Sequence, residues 1–257
     1  RRYGNTEREA VRQLSLSMKA DETYPTGTFY FSDTDDIRNK TRQPNYRYAI
    51  AALERLGHNV EVIDTPLPVG QRDVIGLTTG AATFSWIASG SKFVPGAIGD
   101  NLTSFGGRLT DSGQTKLSEF LRNNAAGASG TVVEPYALQA KFPHPLIHAH
   151  YARGCTLAES YYQSLQSPFQ QLIVGDALCQ PFATRPTIKV DGVKPGEKVS
   201  GQMKLMIDVT ESPTPISKLE LYVDGVRVVN SRMRKEIKFD TTGIPDGFHE
   251  LRFVVVA

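Results

Sequence analysis

Apolar positions follow two periods in the first two thirds of the chain. Short apolar runs at 28–31, 59–63, 73–78, 94–98, 130–133 and 171–174 read as strands. Between them lie stretches with apolar residues three and four apart. These predict helices over 7–18, 46–56, 81–88, 114–123 and 152–165. The 46–56 segment is the clearest, with Tyr46, Ala49, Ile50, Leu53 and Leu56 on one stripe and Gly57 where a C-terminal cap belongs. After Thr184-Arg185-Pro186 the period becomes two. Leu219-Glu220-Leu221-Tyr222-Val223, Asp224-Gly225 and the run 226–229 form a hairpin signal, and 205–209, 237–239 and 249–256 supply further strands.

Strands alternating with helices predict an α/β layer with a mostly parallel sheet flanked by helices over residues 1–184. Near-continuous apolar strands fit burial on both faces. Right-handed crossovers would put every strand's carboxyl end on one edge, where ligands of open α/β sheets bind. The segments after those ends are 32–36, 65–68, 78–80, 99–107, 134–136 and 175–176. Residues 187–257 predict an all-β, immunoglobulin-like sandwich without a Cys-Trp-Cys pattern.

Composition narrows the function classes. Twenty-nine Lys and Arg against 27 Asp and Glu give a net charge of +2, which offers no electrostatic footprint for nucleic acid. No apolar run is long enough to span a membrane. A protein partner or assembly is the expected interaction. The chain opens on Arg1-Arg2-Tyr3 without a Met and closes in the apolar run 253–257, so both ends read as processing or fragment boundaries. Cys155 and Cys179 fit no zinc spacing and are either a disulfide or two free thiols. Asn39-Lys40-Thr41 and Asn101-Leu102-Thr103 match the glycosylation sequon.

The densest polar segment is Gly99-Asp100-Asn101-Leu102-Thr103-Ser104-Phe105-Gly106-Gly107, read as a loop on the functional edge. Ser104 or Thr103 could be a nucleophile beside backbone N–H donors; the alternative is a turn closed by its own side chains. Asp100, Asn101 and Asp176 are the candidate binding residues of that edge. His144, His148 and His150 lie in one segment. His148 could serve as a base, but a loop whose histidines bond backbone is the simpler reading. Gly127-Ala128-Ser129-Gly130-Thr131 matches no phosphate-binding pattern and reads as a helix-to-strand connection. Asp33, Asp35 and Asp36 read as a solvated turn. Cys155, just ahead of a helix, is the remaining nucleophile candidate. No motif asks for a metal or a cofactor.

The run 97–107, Gly127 to Pro135, Lys141-Phe142-Pro143 and Gly175 to Phe182 together resemble an uncharacterised family of secreted bacterial proteins. That resemblance implies a secreted, periplasmic or cell-surface location. The layout more distantly resembles the gingipain-type cysteine peptidases, a caspase-hemoglobinase-like α/β domain followed by an immunoglobulin-like one. Those enzymes carry His-Gly after one strand and Cys after the next. The matching ends here are Thr78-Thr79-Gly80 and Asn101-Leu102-Thr103-Ser104, with neither the His nor the Cys. The resemblance therefore implies a peptidase-like domain without its dyad, used for binding or assembly. The rival expectation is a hydrolase of peptide or other acyl bonds working through 99–107. An imidazole or carboxylate within hydrogen-bond reach of Ser104 or Thr103 would favour the rival.

Overall fold

The computed structural model describes residues 3–210, 215–232 and 234–256. The chain divides into two compact units, Arg1–Ala183 and Thr184–Ala257.

In the first unit, the elements run α1 (Glu7–Ala20), β1 (Thr28–Ser32), α2 (Ile37–Arg42), α3 (Tyr46–Arg55), β2 (Asn59–Ile63), β3 (Val74–Thr79), α4 (Trp86–Ser89), β4 (Phe93–Asn101), α5 (Ser118–Arg122), β5 (Gly127–Thr131), α6 (Ile147–Ala152), α7 (Leu157–Gln163) and β6 (Gln171–Gly175). They build a six-stranded sheet in the order β2-β1-β3-β4-β5-β6. The first five strands are parallel and β6 runs antiparallel to β5. Alternate side chains serve opposite faces. Phe29, Phe31 and Ile98 join Leu53, Tyr151 and Tyr161 in one apolar cluster. Tyr30 and Ala97 join Trp86, Phe93 and Phe120 in the other. β1 and β3 are buried along their whole length, which explains their unbroken apolar runs.

Several expected elements change. The 152–165 helix is two pieces, because α6 ends at Ala152 and Gly154, at φ +92°, turns the chain before the Thr156–Glu159 capping box opens α7. His148 and His150 lie in α6, not in a loop, while His144 precedes the helix. Residues 114–123 keep only α5 as helix, and 81–88 keeps only the short α4. The glycine-rich 127–131 is not a connection but β5 itself: it is wholly buried, and small residues let Leu157 and Gly107 pack against it. β4 extends to Asn101, so Asp100 and Asn101 belong to a strand end.

The second unit contains β7 (Thr187–Asp191), β8 (Gln202–Thr210), β9 (Lys218–Val223), β10 (Val226–Arg232), β11 (Glu236–Asp240) and β12 (Leu251–Val256). Two antiparallel three-stranded sheets form, β10-β9-β12 and β11-β8-β7. Leu205 of β8 and Leu221 of β9 share one apolar cluster, so the two sheets meet face to face. The period-two pattern of β8 is realised as strict alternation of exposed and buried residues over most of its length.

Candidate functional site

Strand order reverses between β1 and β3, the place where a parallel sheet leaves a crevice at its carboxyl edge. Here α2 fills it. Asp36 caps α2 by accepting from the Arg38 amide, 2.9 Å. Gly80 lets the helix sit directly on the end of β3, since a Cβ there would lie 2.6 Å from the Asn39 nitrogen. Two side chains of α2, Asn39 and Arg42, are fully buried. Asn39 donates to the Ser32 hydroxyl (3.0 Å) and the Thr34 hydroxyl (2.7 Å). Tyr46 donates to the Ser32 carbonyl, and burial first of all raises its phenol to about 12.

Arg42 forms the centre of the rim. Its guanidinium pairs with the Asp100 carboxylate and donates to the carbonyls of Thr79 (3.0 Å) and Pro143 (2.9 Å). The other Asp100 oxygen accepts from Ser129 of β5. Asp100 is 1 % exposed. An ion pair this deep persists because β3, β5 and the segment before α6 supply it with further partners, although the Arg42 Nε has none among the described residues. Asn101 is equally committed: its carboxamide accepts from the Ala81 amide (2.9 Å) and donates to the Ala81 carbonyl (3.1 Å). Both expected binding residues of β4 are therefore internal ties.

The expected nucleophiles part company. Thr103 is buried and donates to Gln114 Oε1 (2.7 Å), the oxygen that also takes the Phe105 amide (2.8 Å). Ser104 is half-buried and donates to Glu134 Oε1 at 3.1 Å. A carboxylate thus does reach Ser104. The same oxygen accepts from the Tyr136 amide (2.9 Å), which holds Tyr136 at φ +57°.

His148 lies elsewhere in the rim. It is fully buried in α6, and its Nε2 is 2.9 Å from Thr78 Oγ1 at the end of β3. Phe29 and Phe31 pack against its ring, and Gly76 leaves the space its Nδ1 occupies. Burial, reinforced by the Arg42 charge, pushes its pKa down to about 3. An imidazole so enclosed is a neutral hydrogen-bond partner of Thr78, not a base for Ser104. His144 accepts from the Leu146 amide at Nδ1 (3.2 Å). Among the described residues, no three His, Cys, Asp or Glu side chains come together in a group able to hold a metal ion.

Asp176 does not belong to the rim. Because β6 is antiparallel, its end lies beside the start of β5, where the Asp176 amide donates to the Ala126 carbonyl (3.1 Å) and its carboxylate accepts from the Leu178 amide (3.1 Å). The two cysteines are free thiols. Cys179 is buried, takes a hydrogen bond from Tyr151 (3.2 Å), and burial raises it to about 11. Cys155 is half-buried beside Gln163. Both sequon asparagines, Asn39 and Asn101, are buried carboxamides that the fold itself uses.

Sequence reasoning missed Arg42, Ser129, Thr78 and Glu134. One signal was available: Asp100 follows the apolar run 94–98 by a single glycine, and a carboxylate carried into the buried end of a strand requires a partner cation. No family model matches the chain, and comparison with curated proteins and with solved structures likewise gives no match. Fold and site together define a class only: a mostly parallel α/β sheet with a filled carboxyl rim, joined to a two-sheet β unit.

Proposed function

We propose that the chain is a secreted or cell-surface bacterial protein whose caspase-hemoglobinase-like α/β unit is non-catalytic and serves binding or assembly. The following unit is an immunoglobulin-like interaction module. One observation carries the reading: the crevice at the strand-order reversal holds the buried Arg42–Asp100 pair where a substrate would otherwise enter. The sequence resemblance supports the location, and the absent His and Cys at 78–80 and 101–104 support the lack of peptidase chemistry.

A second reading rests on Ser104. Its hydroxyl is half-buried and faces a carboxylate at 3.1 Å, so a hydrolase acting on acyl bonds through this pair is the alternative. A fluorophosphonate probe separates the two. The non-catalytic protein stays unlabelled, like its Ser104→Ala variant. Labelling of the parent that Ser104→Ala or Glu134→Gln abolishes would replace the binding reading by the hydrolase.

A further inference from the structure

α1 is amphipathic in an inverted sense. Its buried positions are Gln13, Ser17 and Ala20. Gln13 donates to the Ala126 carbonyl (2.7 Å), and Ala20 approaches Gly96. These contacts lie at the amino ends of the β4 and β5 pairing, away from the filled rim. Val11, Leu14 and Met18 point outward, 61 %, 45 % and 73 % exposed. Their spacing of three and four puts them on one stripe. Arg8, Arg12, Ser15 and Lys19, at spacings of four, three and four, form a second row beside it. The acids are fewer: Glu9 is drawn to Arg122 (3.2 Å), which leaves Glu7.

The row of cations selects the occupant. A two-fold antiparallel pairing with a second copy would set basic row against basic row. A bilayer-seeking helix needs a broader apolar face, with large anchors such as Trp or Phe, than three aliphatic side chains provide. Residues at i, i+3 and i+7 flanked by cations match a helix–helix seam, where flanking charges select a partner helix of opposite sign. We infer that α1 is a docking ridge for an acidic amphipathic helix of a partner protein. Val11, Leu14 and Met18 enter the apolar seam of that helix, and Arg8 and Lys19 face its carboxylates, while Arg12 is held back by its donation to the Arg122 carbonyl (2.6 Å). The inference deepens the binding reading and rests on it, yet the two fail separately: probe labelling reports on Ser104 at the rim, and peptide binding reports on α1.

The test uses the full chain and a fluorescein-labelled synthetic peptide of about 18 residues, long enough to form a helix, with Leu on one face and Glu on the flanks. Anisotropy should rise saturably and weaken with added salt. Met18→Asp and Arg8→Glu should each weaken binding about tenfold without moving the melting temperature. A Lys-flanked peptide should bind at least as much more weakly. Absent saturation, equal binding of the two peptides, or indifference to Met18→Asp would overturn the proposal. So would a dimer mass in light scattering that Met18→Asp reduces to the monomer, which assigns the ridge to a second copy. Cosedimentation with phosphatidylserine-containing vesicles that Met18→Asp abolishes would assign it to a membrane surface instead.

Discussion

The two units solve the problem of polar groups in opposite ways. The rim of the α/β unit takes them inside: Asn39, Arg42, Asp100 and His148 are at most 1 % exposed. The second unit keeps its interior to Met203, Leu205, Ile207, Leu219, Leu221, Val223, Ile237 and Phe239. It leaves its ion pairs, such as Arg227–Glu220 and Arg252–Glu250, at the surface. Buried polar groups fix one arrangement, because each unmet partner carries a desolvation penalty. An apolar interior tolerates repacking as long as volume is kept. The difference teaches that the rim is specified by individual partners and the sandwich by pattern.

The sharpest way to break this comparison is to remove one rim partner. Asp100→Ala leaves Arg42 buried and unpaired, and is expected to cost about 3–5 kcal/mol in urea unfolding of the first unit. Replacing the pair together, as Arg42→Met with Asp100→Leu, should recover most of that loss. If the single variant costs no more than an exposed substitution, the pair is not internal in solution. Leu221→Ala tests the other side. It should destabilise the second unit by about 2–5 kcal/mol through the cavity it leaves, while Leu221→Met should cost under about 1.5 kcal/mol. A Leu221→Met variant as damaging as Leu221→Ala would remove the claim that volume, not partner identity, specifies the sandwich.

The same division governs what could be read from the chain. The sandwich strands and the β9–β10 hairpin follow a period of two that one half-buried sheet imposes locally, so they were legible. The buried runs of β1 and β3 were legible for a different local reason, since burial on both faces leaves an unbroken apolar run in the sequence. β5 was legible only at its end, where the expected strand 130–133 overlaps it, because Gly127-Ala128-Ser129-Gly130-Thr131 has the composition of a turn. It becomes a strand only because Leu157 and Gly107 pack where larger side chains would stand. The direction of β6 was also hidden, since an apolar run carries no sign of whether its neighbour is parallel. That one reversal moved Asp176 off the functional edge. Asp100 and Ser104 were found as polar groups near a strand end, but their partners lie 58 and 30 residues away along the chain, beyond any local pattern.

A pH titration sharpens the contrast at the level of single imidazoles, beginning with the larger effect. His148 has its pKa pushed from 6.5 to about 3 by burial and by Arg42. The unfolded chain therefore takes up a proton below pH 6.5 that the folded unit refuses. Its contribution is intact above that value and is lost as pH falls toward 3. Between pH 7 and pH 5 the first unit should lose about 2 kcal/mol on this account. His148→Gln, which keeps an amide for Thr78, should flatten that limb of a urea-unfolding series. An unchanged slope would show that His148 titrates freely.

His249 should show the opposite sign and a smaller effect. Its Nδ1 lies 2.6 Å from Asp224 Oδ2 and its Nε2 lies 2.7 Å from the Pro245 carbonyl. Both ring nitrogens thus face acceptors, an arrangement only the imidazolium satisfies, since it alone has two N–H donors. The hydrogen bond to Asp224, then that to Pro245, raise the His249 pKa above 6.5, and the same pair lowers that of Asp224. The histidine's share of stability is complete below pH 6.5 and disappears as pH rises through its folded value. The share of Asp224 is present above its ordinary value of 3.8 and disappears as pH falls through its own. Both groups are open to water, so screening keeps the effect slight and salt-sensitive. NMR should follow the His249 ring through a midpoint above 6.5 that Asp224→Asn brings down, while the His148 ring stays neutral over the same range. A His249 midpoint at or below 6.5 would mean that the surface pair does not hold its proton. The two units would then differ only in what they bury and not in how they respond to acid.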